Sequence, residues 1–393
     1  MVKINIVHLC LQAPYNDYWG YQDNLLPKYH RKLGHNVTVI TTNTKHENGK
    51  IITIEKDDYR LIDGQRIIRL EYKKYKPQYI CDAYRYYKIY DLLCEIKPDF
   101  IMVHGLGNIS VLQVVKYIKK INKNCVVIAD NHLDYNIGKL KNTIKNKIYR
   151  FSYKLLNKYT QRYYSKVYGV TPWRVTYCED IFGICNKKTD LLVMGADDEY
   201  IDFENKDEVR KNIRSKYGIK DEEFLIISGG KIDKNKNIHL LMEAMSKIDN
   251  EKVRLIIFGE PDDEIKEQIY ELGKSSNIIL IGWISASESY NYFLASDLAV
   301  FPGQHSVLWE QSCACGLPGI FKYWEGMQHI DLGGNVKFLY DDSPIEIKNM
   351  IQKIVNNEEE YKLMRDISIK KGKREFLYSE IAKKTLNEYY LNK

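Results

Sequence analysis

Short unbroken apolar runs alternate with amphipathic stretches along most of the chain. In the first half the runs are INIVHL (4–9), VTVITT (37–42), FIMVH (100–104), CVVIAD (125–130) and VYGVT (167–171). They are short and rich in β-branched residues, and they do not alternate polar with apolar, which is the pattern of strands covered on both faces. Helical periodicity fills gaps between them, as in ISVLQVVKYIKKI (109–121). Strand–helix alternation of this kind predicts a parallel sheet. IITIEK (51–56) and QRIIRLEYK (65–73) interrupt it and read as a hairpin excursion. The alternation restarts with strands at 223–230, 253–259, 277–283, 298–303 and 318–322, separated by helices near 238–248, 262–274, 286–296 and 307–316. Beyond about residue 343 the chain reads as polar and helical.

The acidic stretch MGADDEYIDFENKD (194–207) parts the two series. The predicted class is α/β, with two Rossmann-like domains at 1–195 and 216–372, a linker region at 196–215, and a last helix at 373–393 packing back on the first domain. Ligands of open parallel sheets lie outside the carboxyl ends of the strands. Two such domains are expected to face each other across a central cleft.

Composition narrows the partners. The chain has 393 residues, 44% hydrophobic and 28% charged, which suits a folded two-domain protein. A net charge of +7 favours an anionic partner such as a nucleotide, a lipid surface or a nucleic acid. Eight scattered cysteines form no C-x-x-C pair and no zinc spacing, so neither a metal site nor a disulfide framework is expected, and a reducing cytosol is. The start, MVKINIVHLC, reads as a strand and not as a signal peptide, and no apolar run is long enough to span a membrane.

Two segments carry candidate chemistry. In FLIISGGKIDKNKNIHLL (224–241), a buried strand ends in Gly229–Gly230, then Lys231, Lys234 and Lys236 precede a helix that starts near Asn237 or Ile238. Ammonium groups at Lys231 and Lys236 beside a helix N-terminus suit a diphosphate; a solvated lysine-rich turn is the other reading. The spacing is not that of a nucleotide-hydrolysing P-loop. In LAVFPGQHSVLWEQSCACGLPGIFKYWEGM (298–327), a strand ends at FPG and a helix carries Glu310.

With these two segments the chain resembles the retaining glycosyltransferases of family 4, which have the GT-B fold, in a branch serving bacterial polysaccharide assembly. GGKIDKNKN is similar to the family's donor-phosphate motif, with Lys231 and Lys236 in its cationic slots, and WEQSCACGLP to its E-A-x-A-x-G-x-P block. The resemblance implies that Glu310 accepts from ribose hydroxyls and that the base lies against Gly282, Trp283 and Ile284. The family's first glutamate would fall at Pro302, so Gln304, His305 and Ser306 are the candidates for its place; the amides of Ser306 and Val307 would meet the phosphates. In the first half, LQAPYNDYWGYQDNLLPKYHRKLGHNVTVIT (11–41) resembles the family's opening strand–loop–helix, and Gly20 stands where a glycine admits the diphosphate. ADNHLDYN (129–136) places His132 at a carboxyl strand end, matching a family histidine near the anomeric centre. Asp134 is its candidate partner or a base for the incoming hydroxyl, and His104 is a weaker candidate. The alternative is that Asp130 and Asn131 cap a helix and His132 merely packs.

KLKNTIKNKIYRFSYKLLNKYTQRYYSK (139–166) has one helical apolar stripe, Leu140, Ile144, Ile148, Phe151, Leu155 and Tyr159, and no acid occurs between Tyr135 and Cys178. One reading is a core-facing helix with a solvated back. The other makes Lys141, Lys145, Arg150, Lys154 and Lys158 a surface for anionic lipid or a lipid-diphosphate acceptor. Nucleic acid is the runner-up partner for this surface, but no base-reading motif supports it and it is not the expected one.

The implied function is α-sugar transfer from a UDP- or GDP-sugar to a polyprenyl-linked glycan, at the cytoplasmic face of the plasma membrane, for O-antigen or capsule. No cofactor or metal is expected. A nucleotide-sugar epimerase and a non-catalytic GT-B subunit are the alternatives; a nicotinamide oxidoreductase would need a G-x-G-x-x-G turn, which is absent.

Overall fold

A computed structural model describes residues 2–74, 84–135 and 143–391. They form two compact units: Met1–Val193 with Ile381–Lys393, and Met194–Glu380.

In the first unit the strands are β1 (Asn5–Cys10), β2 (Asn36–Thr42), β3 (Thr44–Glu47), β4 (Lys50–Thr53), β5 (Asp57–Arg60), β6 (Arg66–Leu70), β7 (Phe100–His104), β8 (Val126–Asn131), β9 (Lys166–Gly169) and β10 (Thr189–Leu191). The main sheet has the order β10-β9-β8-β7-β1-β2-β6-β5, parallel except for its β5 edge. Strand order reverses between β1 and β7, so the crevice at their carboxyl ends is where an open sheet of this kind takes its ligand. The runs predicted from apolar continuity are buried along nearly their whole length.

The predicted hairpin of 51–56 with 65–73 is corrected. β4 pairs back on β3 across Asn48–Gly49, both at positive φ, and β6 pairs with β5 while lying parallel to β2. Asn-Gly is the preferred pair for a two-residue hairpin turn, and it captures β4 before residues 65–73 can.

The second unit contains β11 (Phe224–Gly229), β12 (Val253–Phe258), β13 (Ile278–Leu280), β14 (Leu298–Phe301), β15 (Gly319–Lys322) and β16 (Val336–Leu339). All are parallel, in the order β13-β12-β11-β14-β15-β16, with the reversal between β11 and β14. β16 is an edge strand that the apolar pattern does not reveal, because Lys337 interrupts a four-residue run and pairs with Glu360 at 2.6 Å.

The stretch 196–215 is not a free connection. Half of it belongs to the helix Lys206–Lys216, which the second unit holds by buried charge. Arg210 and Arg214 each reach Asp297 at 2.8 Å, on separate carboxylate oxygens, and Leu225 N donates to the same carboxylate at 2.8 Å. Arg214 and Asp297 are buried. Residues from Ile381 onward fall with the first unit, where Ile381, Ala382, Leu386 and Tyr389 are buried.

Removing one partner of a buried ion pair leaves the other charged and dry, which costs about 3–5 kcal/mol. Asp297→Ala is therefore expected to lower unfolding free energy by about that amount, read from the denaturant midpoint. A loss of under about 1 kcal/mol would mean that water already screens the pair.

Candidate functional site

Within the second unit, the predicted phosphate segment sits at the carboxyl end of β11, on the topological reversal. Gly230 has φ +96, a backbone conformation that favours glycine, and a Cβ there would also displace the tip of Leu308, 2.8 Å away. Asp233 caps the short turn that follows, its carboxylate accepting from Asn235 N and Lys236 N at 2.9 and 3.2 Å. Asn237, at φ 53, redirects the chain into the helix Ile238–Met245, and its amide donates to Asp342 at 2.7 Å.

The two lysines of the motif are held differently. Lys231 is exposed, and its ammonium lies between Asp262 and Asp233 at 3.0 and 3.1 Å. Hydrogen bonds to Asp262 and then Asp233 raise its pKa. Lys236 donates to the carbonyls of Gln304 and His305 at 2.9 and 3.1 Å. Burial lowers its pKa, Asp233 partly offsets this, and Lys231 lowers it further. A Cβ on Gly303 would fall 2.3 Å from the Lys236 carbonyl carbon, so only glycine lets the 302–305 loop lie on the lysine turn.

That loop joins Lys236 to Glu310. His305 Nε2 and His329 Nε2 both stand 2.8 Å from Glu310 Oε1. Glu310 is fully buried, and its Oε2 has no hydrogen-bond partner. Burial alone would raise the carboxyl pKa, but His305 and then His329 pull it well below the usual carboxylate range. Trp309 fixes the His305 ring edge-on at 5.1 Å and stacks on Phe321 at 4.7 Å. Among the described residues, His305, Glu310 and His329 are a set whose ligand atoms lie within 4.8 Å of one another and could hold a metal ion.

Of the residues that could occupy the place of the family's first glutamate, only His305 has its ring on Glu310. Gln304 N donates to Asn235 O at 3.0 Å, while Ser306 accepts from Trp309 N at its carbonyl, 3.0 Å, and from Leu308 N at its hydroxyl, 3.5 Å. Val307 is the residue before the helix Leu308–Ala314. Gly282, Trp283 and Ile284 lie between β13 and the helix Ala286–Ala295; Gly282 O accepts from Gly259 N at 2.7 Å, and Trp283 is exposed. Sequence reasoning missed His329 and the carboxylates Asp233 and Asp262. His329 follows β15 in GMQHIDLGG, a carboxyl strand end, which is the one signal that marks it.

In the first unit, Gly20 is exposed, in the bend before the helix Gln22–Lys32, with open space at its Cβ position. His132 follows β8, with its Nε2 3.7 Å from Asp130 Oδ2. The expected pairing of His132 with Asp134 is corrected: Asp134 is buried and meets Arg174 at 3.1 Å, because the helix Pro172–Asp180 brings that guanidinium over it. His104 is buried at the end of β7, 2.8 Å from Asp130.

The basic helix is Ile144–Thr160, N-capped by Thr143. The core-facing reading of its apolar stripe is overturned. Ile144 is 78% exposed, Ile148 60%, Phe151 64% and Leu155 53%, while the buried side is Tyr153, Asn157 and Thr160. Asn157 anchors that side by donating to Leu106 O at 3.1 Å. Lys145, Arg150, Lys154 and Lys158 lie on this helix; Lys139, Leu140 and Lys141 fall outside the described residues. No helix among the described residues is long and apolar enough to cross a membrane.

Glu310→Gln should lower unfolding free energy near neutral pH by about 1–3 kcal/mol, the worth of charge-assisted hydrogen bonds. A depressed carboxyl stabilises above its unfolded pKa, about 4.3, and that contribution is lost as pH falls toward the folded value. The gap between wild type and variant, from denaturant unfolding, should narrow below about pH 4; a gap that stays constant would mean that the imidazoles do not hold the charge.

Residues 209–371 match the family model described as glycosyl transferases group 1. A glycosyltransferase of Methanocaldococcus jannaschii is 23% identical over 216 residues, 53% of this chain and 55% of that protein. The Campylobacter jejuni N-acetylgalactosamine-N,N'-diacetylbacillosaminyl-diphospho-undecaprenol 4-alpha-N-acetylgalactosaminyltransferase is 28% identical over 188 residues, 45% of this chain and 46% of that enzyme. The chain thus spans about half the length of these curated relatives. Among solved structures, Anabaena HepE in complex with UDP aligns with a TM-score of 0.66 at 13% identity, over 99% of this chain and 100% of that one, a likeness of fold. The lysine turn, the Glu310 helix and their sheet all fall inside the segment that is similar to the group 1 glycosyl transferases, and the chain that carries it has the GT-B fold.

Proposed function

We propose that the protein moves a sugar from a nucleoside-diphosphate sugar, UDP or GDP, to a hydroxyl of a glycan acceptor, with retention of anomeric configuration. The observation that carries this reading is the placement of Lys231 and Lys236 after the carboxyl end of β11, with Lys236 joined through the 302–305 loop to a buried, ionised Glu310. The lysines neutralise the charge that builds on the departing diphosphate. Lys231 exchanges Asp262 and Asp233 for phosphate oxygens when the donor binds. Glu310 accepts from the ribose through the oxygen that has no partner, Oε2. Gly282, Trp283 and Ile284 line the base, Gly20 and the amides of Ser306 and Val307 approach the diphosphate, and His132 contacts the reacting sugars. Lysines replace a divalent cation at the leaving group, so turnover proceeds without added metal.

The acceptor is lipid-linked in this reading, a polyprenyl-diphosphate glycan at the cytoplasmic face of a membrane, in the assembly of a surface polysaccharide such as O-antigen or capsule. Two points support it. The Campylobacter relative is named for a diphospho-undecaprenol substrate. The helix Ile144–Thr160 exposes Ile148, Phe151 and Leu155 beside Lys145, Arg150, Lys154 and Lys158, and such a face suits an anionic bilayer surface.

Lys231→Ala and Lys236→Ala should each weaken UDP or GDP binding by about tenfold or more, the loss of one charge-assisted contact, with the circular dichroism spectrum unchanged. Unchanged calorimetric affinity in both variants would remove the donor reading. Donor binding without transfer to any acceptor would favour the non-catalytic subunit that Pro302 also suits. A chelator should leave transfer unaltered.

Phe151→Asp with Lys154→Glu should reduce binding to vesicles containing anionic lipid by about tenfold or more, with neutral vesicles bound weakly by either chain. Equal sedimentation of both chains with the anionic vesicles would exclude this helix as the docking face.

A further inference from the structure

The first unit buries a continuous line of titratable groups beneath the loop that holds His132. His104 Nδ1 lies 2.8 Å from Asp130 Oδ2, and His104 Nε2 lies 2.9 Å from His8 Nδ1. His8 Nε2 lies 3.0 Å from His30 Nδ1. His30 Nε2 ends the line, 2.8 Å from Thr385 Oγ1 and 3.2 Å from Ala382 O. All four ionisable side chains are buried. They come from β1, β7, β8 and the helix Gln22–Lys32, at the reversal in strand order.

The far end of the line assigns every proton. A carbonyl oxygen only accepts, and Thr385 Oγ1 spends its own proton on Ala382 O at 2.7 Å. His30 must therefore donate from Nε2. Burial first, then His35 and His104, lower the His30 pKa to about 3 against the pull of Ala382 O, so the ring is neutral and its Nδ1 accepts. His8 then donates from Nε2. Burial, His30 and His104 hold it well below the usual histidine range despite Asp130, so its Nδ1 accepts in turn. His104 is left to donate from Nε2 to His8 while its Nδ1 faces a carboxylate. The line is satisfied only if one extra proton is held between His104 and Asp130. Burial would lower the His104 pKa, but Asp130 and Asp23 raise it to about 9, so the proton belongs to the ring.

Asp130 is the hub. Its Oδ1 accepts from Gly105 N at 3.2 Å, and its Oδ2 from His104 and from Gln22 Nε2 at 3.2 Å. The next polar atom is His132 Nε2, at 3.7 Å, which is buried and has no hydrogen-bond partner. The other titratable groups facing this centre are Asp23, 3.5 Å from His104 Nδ1, Cys10 on β1 and Cys178 on the helix Pro172–Asp180. Both thiols are pushed up by burial, and Asp130 raises each further, so neither supplies charge.

We propose that the histidine line makes His104 a standing buried imidazolium that keeps Asp130 ionised, and that Asp130 in turn turns His132 with Nε2–H inward and Nδ1 outward as an acceptor for a sugar hydroxyl. His104 and Asp130 are positioning residues in this scheme. Only the identity of the hydroxyl rests on the proposed function; the placement of the protons does not.

Long-range proton–nitrogen spectra of the 15N-histidine-labelled full chain test this. The nine histidines are few enough to assign by substitution. At about pH 7.5, where a free ring is neutral, one ring absent from His104→Gln should carry protons on both nitrogens and lose one only near pH 9. His132 should show the Nε2–H tautomer. Asp130→Asn should make the His104 ring neutral at the same pH and mix the His132 tautomers. His8→Gln and Asp130→Asn supply the assignment if His104→Gln does not fold. A neutral His104 at about pH 7.5 in the wild type, or a His132 tautomer unmoved by Asp130→Asn, overturns the proposal. Neither readout needs a donor or an acceptor, so a failure here is separate from a failure of sugar transfer.

Discussion

A charge taken out of water must be met by its opposite, and three carboxylates near strand ends impose that constraint on this chain. Asp297, before β14, binds Arg210 and Arg214 and fastens the helix Lys206–Lys216. Glu310, after β14, gathers His305 and His329. Asp130, on β8, gathers His104, Gln22 and the Gly105 amide. In each case the buried acid draws together groups from separate loops, strands or helices and sets where they stop. An isolated buried carboxylate would be neutralised at a cost of several kcal/mol, so these partners are conditions of the fold before they are features of a site.

The architecture was legible because buried parallel strands leave continuous apolar runs. β1, β2, β7, β8, β11, β12 and β14 lie where those runs predict them. Pairing was less legible, since which strand a run joins depends on turns and on neighbours across the sheet. Asn48–Gly49 did carry the hairpin signal, and reading it would have placed β3 against β4. The helix Ile144–Thr160 shows the reverse limit. Its stripe of Ile148, Phe151 and Leu155 has the spacing of a core face, and periodicity cannot tell which medium covers such a face.

The lysine segment was legible as a motif but not as an electrostatic arrangement. The family resemblance brought Lys231, Lys236 and Glu310 into one expectation; it could not show that Asp233 and Asp262 hold Lys231 or that His329 shares Glu310 with His305. Partners that converge from separate loops leave no periodic trace. The loop that contains Pro302 and Gly303 holds Lys236 by its carbonyls and Glu310 by its imidazole, two contacts that its sequence does not announce.

Lys231 meets its own protein's acids when nothing else is near, and this bears on what can displace them. A small free anion must exchange Asp262 and Asp233 for a single exposed ammonium, with little else to gain. The resting pairs therefore screen the cation from stray anions, and only an anion with further points of attachment has a reason to break them.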